Sequence, residues 1–287
     1  REVVAEGKVA ESVGSESFWK IRTSFFESFF DTETNEYQTL VIDEFDKLSQ
    51  LNLYDEIILW FEYDLFCQLN MMALLSWFSN QQGIEAKLSL VCIGKVEGYD
   101  KMVGLGEVDP ALYASFYENR TALVQEDLEF ARSFWSVYSS HDPTPLIDMT
   151  SERGETFPYL ANAIEAHLRR FPSVYNGLNK IEDRMLKIVH SGIQDRRRVV
   201  GQMLREDNDY GFGDMQYFIY LKNLYPLLED DNNGLAVNES GNKVLDGEED
   251  FMDHAKHEYY FGGAYFKDYR WDEENHKLIK FIPKNKD

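Results

Sequence analysis

Tyr54-Asp-Glu-Ile-Ile-Leu-Trp-Phe-Glu-Tyr-Asp-Leu-Phe-Cys-Gln-Leu-Asn70 is the stretch whose reading decides the fold. Its β-branched, apolar segment, Ile57 to Phe61, passes directly into the carboxylates Glu62 and Asp64 and then into an apolar helix pattern. A buried parallel strand reads this way when it delivers polar side chains to its carboxyl end, where open α/β sheets bind ligands. The pattern therefore predicts a strand over Glu56 to Phe61. A helix follows, with Leu65, Phe66, Leu69, Met72, Leu75, Trp77 and Phe78 on a broad apolar face.

Working outward, Glu2 to Lys8 alternates weakly toward Glu6-Gly7 and reads as a short strand meeting a turn. Ser15 or Ser17 caps a helix through Phe18, Trp19, Ile21, Phe25, Phe26 and Phe29, and a second helix is expected over about Glu36 to Leu51. Lys87 to Ile93 reads as another buried strand, followed by a loop bearing Gly94, Gly98, Gly104 and Gly106. Strands alternating with helices at this pitch predict a parallel sheet with crossover helices.

Pro110 opens a different regime. Ala111 to Tyr117, Thr121 to Tyr138 and Tyr159 to Phe171 read as helices with no strand signal between them, and Arg170-Phe-Pro172 stops the last. Helices are then expected over Asn179 to His190, Gln194 to Arg205 and Gly213 to Tyr225. Asn232-Asn233-Gly234 leads into Leu235-Ala-Val237 as a hairpin signal. Three short helices followed by a hairpin outline a winged helix. Leu278-Ile279-Phe281-Ile282 predicts a last pair of strands.

The expected architecture is thus an α/β chain. Residues 1–108 form a parallel-sheet, Rossmann-like layer that lacks its first strand, 109–175 a helical segment, and 176–287 a winged-helix-like unit with a terminal β-hairpin. The chain starts at Arg1 rather than Met, inside an apparent strand, so further N-terminal sequence is expected.

With 29 Lys and Arg against 51 Asp and Glu, the net charge is −22 at pH 7. So acidic a surface disfavours nucleic acid and anionic membranes. Hydrophobic content of 44% and aromatic content of 15% place the chain among globular proteins rather than disordered ones. Cys67 and Cys92 lie in apolar segments and read as buried thiols of a reducing, cytoplasmic setting. No apolar run is long enough to span a bilayer.

Three blocks carry a family likeness. The first is Arg1-Glu2 with Glu6-Gly7 and Phe18-Trp19-Lys20-Ile21-Arg22. The second is Tyr54 through Leu59-Trp60-Phe61-Glu62-Tyr63-Asp64-Leu65 to Gln68-Leu69. The third is Arg170-Phe-Pro172 with Asn176-Gly177-Leu178, Gly213-Asp214 and Pro226-Leu227-Leu228, closed by Phe261-Gly-Gly263 and Arg270-Trp-Asp272. Together they resemble the bacterial family known as domain of unknown function 1835, over nearly the whole chain. The resemblance supports the fold expectation and implies no assigned activity. The family pattern begins with an extra strand and an Asn-Gly-Asp type of turn, which are absent here. It often has His where this chain has Tyr63, so histidine chemistry is not implied at that position.

The candidate ligand-binding residues are Glu6, Trp60, Glu62, Asp64 and Gln68. If the strands ending at Glu6 and Glu62 are neighbours, their carboxylates share one sheet edge, where mutual repulsion raises a pKa or recruits a hard cation such as Mg²⁺. Against this, Asp64 reads equally as the N-cap of the next helix, and Glu62 as a partner of Arg1 or Arg22. Trp60 reads first as an aromatic core residue and second as a stacking platform. Gln68, four residues after Asp64, reaches toward a ligand at the helix start. The glycines from Gly94 to Gly106 do not form a phosphate-binding fingerprint. His254 and His257 read as a solvated helix face rather than a metal pair.

No catalytic set, resident metal or cofactor is assigned from the sequence. A ligand-binding or regulatory protein is the first expectation, its partner a small molecule or a protein. A metal-assisted hydrolase using Glu6, Glu62 and Asp64 is the first alternative. The second is a transcriptional regulator acting through the C-terminal unit, which the acidic run Glu229-Asp-Asp231 disfavours. Arg196-Arg-Arg198 is the basic cluster available to phosphate there.

Overall fold

The computed structural model describes residues 2–281 apart from 84, 151, 207, 208, 232 and 233. The chain mixes helices with small sheets, helix predominating. It forms two compact units, Arg1–Ile164 with Tyr260–Ala264, and Glu165–Tyr259 with Tyr265–Asp287. No described helix is long and apolar enough to cross a membrane.

In the first unit, Glu56–Glu62 pairs in parallel with Lys87–Ile93 along all its residues, from Glu56↔Lys87 to Glu62↔Ile93. The helix Leu65–Ser79 connects them and buries Leu65, Leu69, Met72, Leu75 and Phe78. It packs against the helix Gln125–Tyr138, whose Trp135 and Tyr138 are fully buried. Trp135 donates to Glu11 O at 2.9 Å and Tyr138 Oη to Val4 O at 2.7 Å, so two large aromatics bury without stranding their polar atoms.

Several expectations change here. Among the described residues the strand of residues 56–62 is an edge rather than an interior strand, because the sheet runs from it through Lys87–Ile93 to Thr121–Ala122. That last short strand, antiparallel to Ser89–Leu90, lies where a helix was expected; the helix begins only at Gln125. Glu2 to Lys8 is not an extended strand, since only Gly7–Lys8 pairs, in parallel with Phe261–Gly262. The physical reason is Arg22. Its fully buried guanidinium takes Val3 O, Glu6 O and Lys8 O at 2.9, 2.7 and 3.1 Å, carbonyls that a longer strand would give to a neighbour.

The segment expected as one helix over 36–51 comes in pieces. Thr34–Tyr37 is α, Gln38–Ile42 a π turn, Asp43–Asp46 α, and Lys47–Leu53 a 3₁₀ stretch. Ser15 is the cap of Glu16–Phe30, accepting from Phe18 N at 3.2 Å.

In the second unit, helices Lys180–His190, Arg196–Glu206 and Asp214–Asn223 precede an antiparallel pair, Leu228–Asp231 with Gly234–Val237. Asn232 and Asn233, the expected turn, lie outside the described residues. A further helix, Glu239–Leu245, follows, which the sequence did not announce. Tyr269–Asp272 and Lys277–Lys280 form the last antiparallel pair, with Trp271 opposite Leu278; Ile282 lies outside the described residues.

Candidate functional site

The end of the Glu56–Glu62 strand is built by short-range rules. Asp64, in extended conformation, caps the helix Leu65–Ser79, its Oδ1 accepting from Cys67 N at 2.8 Å. Such a cap contributes about 1 kcal/mol. Two residues earlier, Glu62 Oε1 accepts from Leu105 N at 2.7 Å, which fixes its carboxylate against the loop after Lys87–Ile93. Gly104 permits that approach, because a Cβ there would lie 2.6 Å from Glu62 Oε2. Each carboxylate thus has one oxygen held by a backbone N–H.

Cys67 completes the arrangement. One ligand atom from each of Glu62, Asp64 and Cys67 lies within 4.8 Å of the other two. Burial pushes the Asp64 carboxyl up to about 6; the Cys67 N–H bond opposes this and the Glu62 charge adds to it. Burial, then the Asp64 charge, pushes the Cys67 thiol well above its usual range. Burial thus disfavours the charged forms of Asp64 and Cys67, and a cation held beside them would relieve that.

The other sequence candidates separate from this group. Glu6 is fully buried, but the strand that follows it, Gly7–Lys8, pairs with Phe261–Gly262 and not with the Glu56–Glu62 strand. It is not part of the group formed by Glu62, Asp64 and Cys67. Gln68 is fully buried. Its Nε2 donates to Glu62 O at 2.7 Å and to Cys92 Sγ at 3.3 Å, tying the helix to both strands. Trp60 is 36% exposed, not a core residue, and meets the Tyr113 ring edge-on at 6.1 Å. Its exposure follows from the edge position of its strand.

Arg22 is not a partner of Glu62 but is bound to Glu2, at 2.7 Å, with Tyr37 on the other Glu2 oxygen. Arg1 lies outside the described residues. Cys67 is the member of the cluster that the sequence did not single out. Its signal was its place three residues after the cap, where a side chain turns back toward the helix start.

A second buried carboxyl lies in the other unit. Glu182, third residue of Lys180–His190, gives Oε2 to Asn179 N at 3.0 Å in a capping box. Its Oε1 lies 3.5 Å from His257 Nε2. His257 is not on a solvated helix face; it sits among the rings of Phe251, Tyr259 and Phe266. Burial pushes Glu182 up to about 8, and burial pushes His257 down to about 4, with Lys267 adding to the fall.

No family model, curated protein or solved structure matches the chain.

Proposed function

We propose that this chain is a ligand-binding protein acting through a divalent cation at the end of the Glu56–Glu62 strand, held by Glu62, Asp64 and Cys67. The observation that carries this is the convergence of two carboxylates and a thiol within 4.8 Å, each carboxylate oriented by a backbone N–H. A thiolate among the donors favours a zinc-like borderline cation over Mg²⁺. Three protein donors leave an open position, which an acidic group of a small ligand would fill. Glu6 brings no support to a hydrolase reading at this place.

The experiment is thermal unfolding with zinc, manganese and magnesium after chelation. Zinc at a hundred times its Kd should add about 2.7 kcal/mol of stability. Cys67→Ala and Asp64→Asn should each abolish the gain. No shift with any divalent cation ends the reading.

At the level of fold, the proposal is a Rossmann-like layer in residues 1–108, supported by the parallel strand pair and its crossover helix. Membership of the domain of unknown function 1835 family rests on the sequence blocks alone. For 176–287 the proposal is a winged-helix-like unit used for protein contact, supported by three helices followed by a strand pair. A role in DNA binding is not favoured: Arg196 is paired with Asp230. The ≈ 730 Å³ cavity beside it is lined by Asp195, Asp230 and Asp231 as well as Arg196, Arg197 and Arg198. No retardation of duplex DNA at low salt is expected, and a clear shift would reverse this assignment.

A further inference from the structure

The strand Glu56–Glu62 has the composition of an interior strand and the position of an edge. Ile57, Ile58, Leu59, Trp60 and Phe61 run without a Lys, Pro or bulge, the usual devices that keep an edge from pairing. All seven residues pair with Lys87–Ile93 on one side. Among the described residues no strand pairs with the other side.

An open groove of ≈ 640 Å³ borders that strand. Both Trp60 and Phe61 line it. Successive residues of a strand point to opposite faces of a sheet. A groove touched by both therefore runs around the strand's edge rather than over one face. One wall comes from the helix Leu65–Ser79 through Phe66, Ala73 and Leu74. Others come from Phe18 and Trp19 of Glu16–Phe30 and from the irregular helical stretch at Leu40 and Val41. The charged residues among the lining are Glu2 and Glu44.

We propose that this groove is a β-strand acceptor: an extended peptide of a partner polypeptide adds to the free edge of Glu56–Glu62 and lays alternate apolar side chains against the two walls. Main-chain hydrogen bonds to the edge give such a complex its register, and the pockets on either side select the side chains. Charge decides the partner. Glu2 is already paired with Arg22 and Glu44 with Lys47, so the selection comes from the whole chain: a second copy would bring net −22 against net −22, and the acceptor fits a strand flanked by Lys or Arg. Glu62 and Asp64 do not line the groove, but Cys67 does, so the groove and the proposed cation site share that one residue and the peptide test is run on the chelated protein.

The test uses the whole chain and a fluorescent heptapeptide alternating valine and threonine with a lysine at each end. Fluorescence anisotropy should show saturable binding, and amide hydrogen exchange should slow by about tenfold or more in residues 56–62. The same peptide N-methylated along one edge should bind at least about tenfold more weakly, because it cannot donate to the strand. Leu40→Arg, a change at an exposed groove position, should weaken binding by a similar factor while leaving the thermal unfolding curve in place.

Equal binding of the N-methylated peptide would overturn the proposal, as would protection located away from residues 56–62. Sedimentation showing a dimer already protected at 56–62 would also overturn it, by making a second copy the occupant.

Discussion

Two of the buried carboxyls, Asp64 in the first unit and Glu182 in the second, are raised by the same force and keep different company. Each sits at the start of a helix and spends one oxygen on a backbone N–H. Each is pushed upward first by burial. The difference lies in the third party. Asp64 faces a second carboxylate and a thiol, and burial disfavours the charged form of that thiol as well. Glu182 faces an imidazole that burial keeps neutral, so the one proton of the pair stays on the acid. Burial alone therefore does not mark a ligand site; what sets Asp64 apart is the carboxylate and thiol clustered beside it.

The largest effect that would sharpen this contrast belongs to Asp64. Folded, it keeps its proton up to about pH 6, whereas the unfolded side chain releases it near 3.8. Its contribution to stability is full below 3.8 and is lost as pH rises through 6, a change of about 3 kcal/mol in the chelated protein. Asp64→Asn keeps a cap oxygen and cannot titrate. Urea unfolding at pH 4 and pH 7 with chelator should show the variant gaining by that amount relative to the parent chain. Parallel curves would remove the desolvation argument for the site.

A somewhat smaller effect belongs to the sealed pair. Glu182 moves from 4.5 to about 8 on folding and His257 from 6.5 to about 4. Between pH 4.5 and 6.5 the pair holds one proton in both states, on His257 when unfolded and on Glu182 when folded, so stability is flat. From 6.5 to 8 only the folded pair still holds it, and stability falls by about 2 kcal/mol. Glu182→Gln, which preserves the capping box, should flatten that decline. A variant that still loses stability over this window would show that another group carries the proton.

The smallest effect tests the loop that holds Glu62. Gly104→Ala places a Cβ 2.6 Å from Glu62 Oε2 and forces the carboxylate to move. About 1 kcal/mol of stability should be lost, with zinc affinity falling in step. Unchanged affinity would mean that Glu62 is not a donor.

What the sequence made legible was local. The strand over Lys87–Ile93, the cap at Asp64 and the helix start at Ser15 follow from alternation and capping chemistry within a few residues. What stayed hidden depended on partners far along the chain. Whether Glu56–Glu62 is interior or edge is decided by its neighbours, not its composition. Arg22 removed a strand by seizing carbonyls 14 to 19 residues away. His257 looked solvated because Glu182 and Phe266 carry no signal of their proximity. At the site, Glu62 and Asp64 were legible as strand-end acids. Cys67 was passed over because an apolar context favours a buried thiol, and Trp60 was taken for core because its strand was taken for interior.

The pairing of Gly7 with Phe261 and Lys8 with Gly262 bears on how the chain is made. Compact units emerging from a ribosome fold in order when each holds all its own residues. Here the unit that emerges first waits for a segment synthesised after residues 165–259 have already appeared. A close fit awaits that segment, since a Cβ at Gly262 would meet Tyr138 O at 2.1 Å. The first unit thus stays incomplete until residues 260–264 are made, and a nascent chain stalled short of residue 260 carries it unfinished.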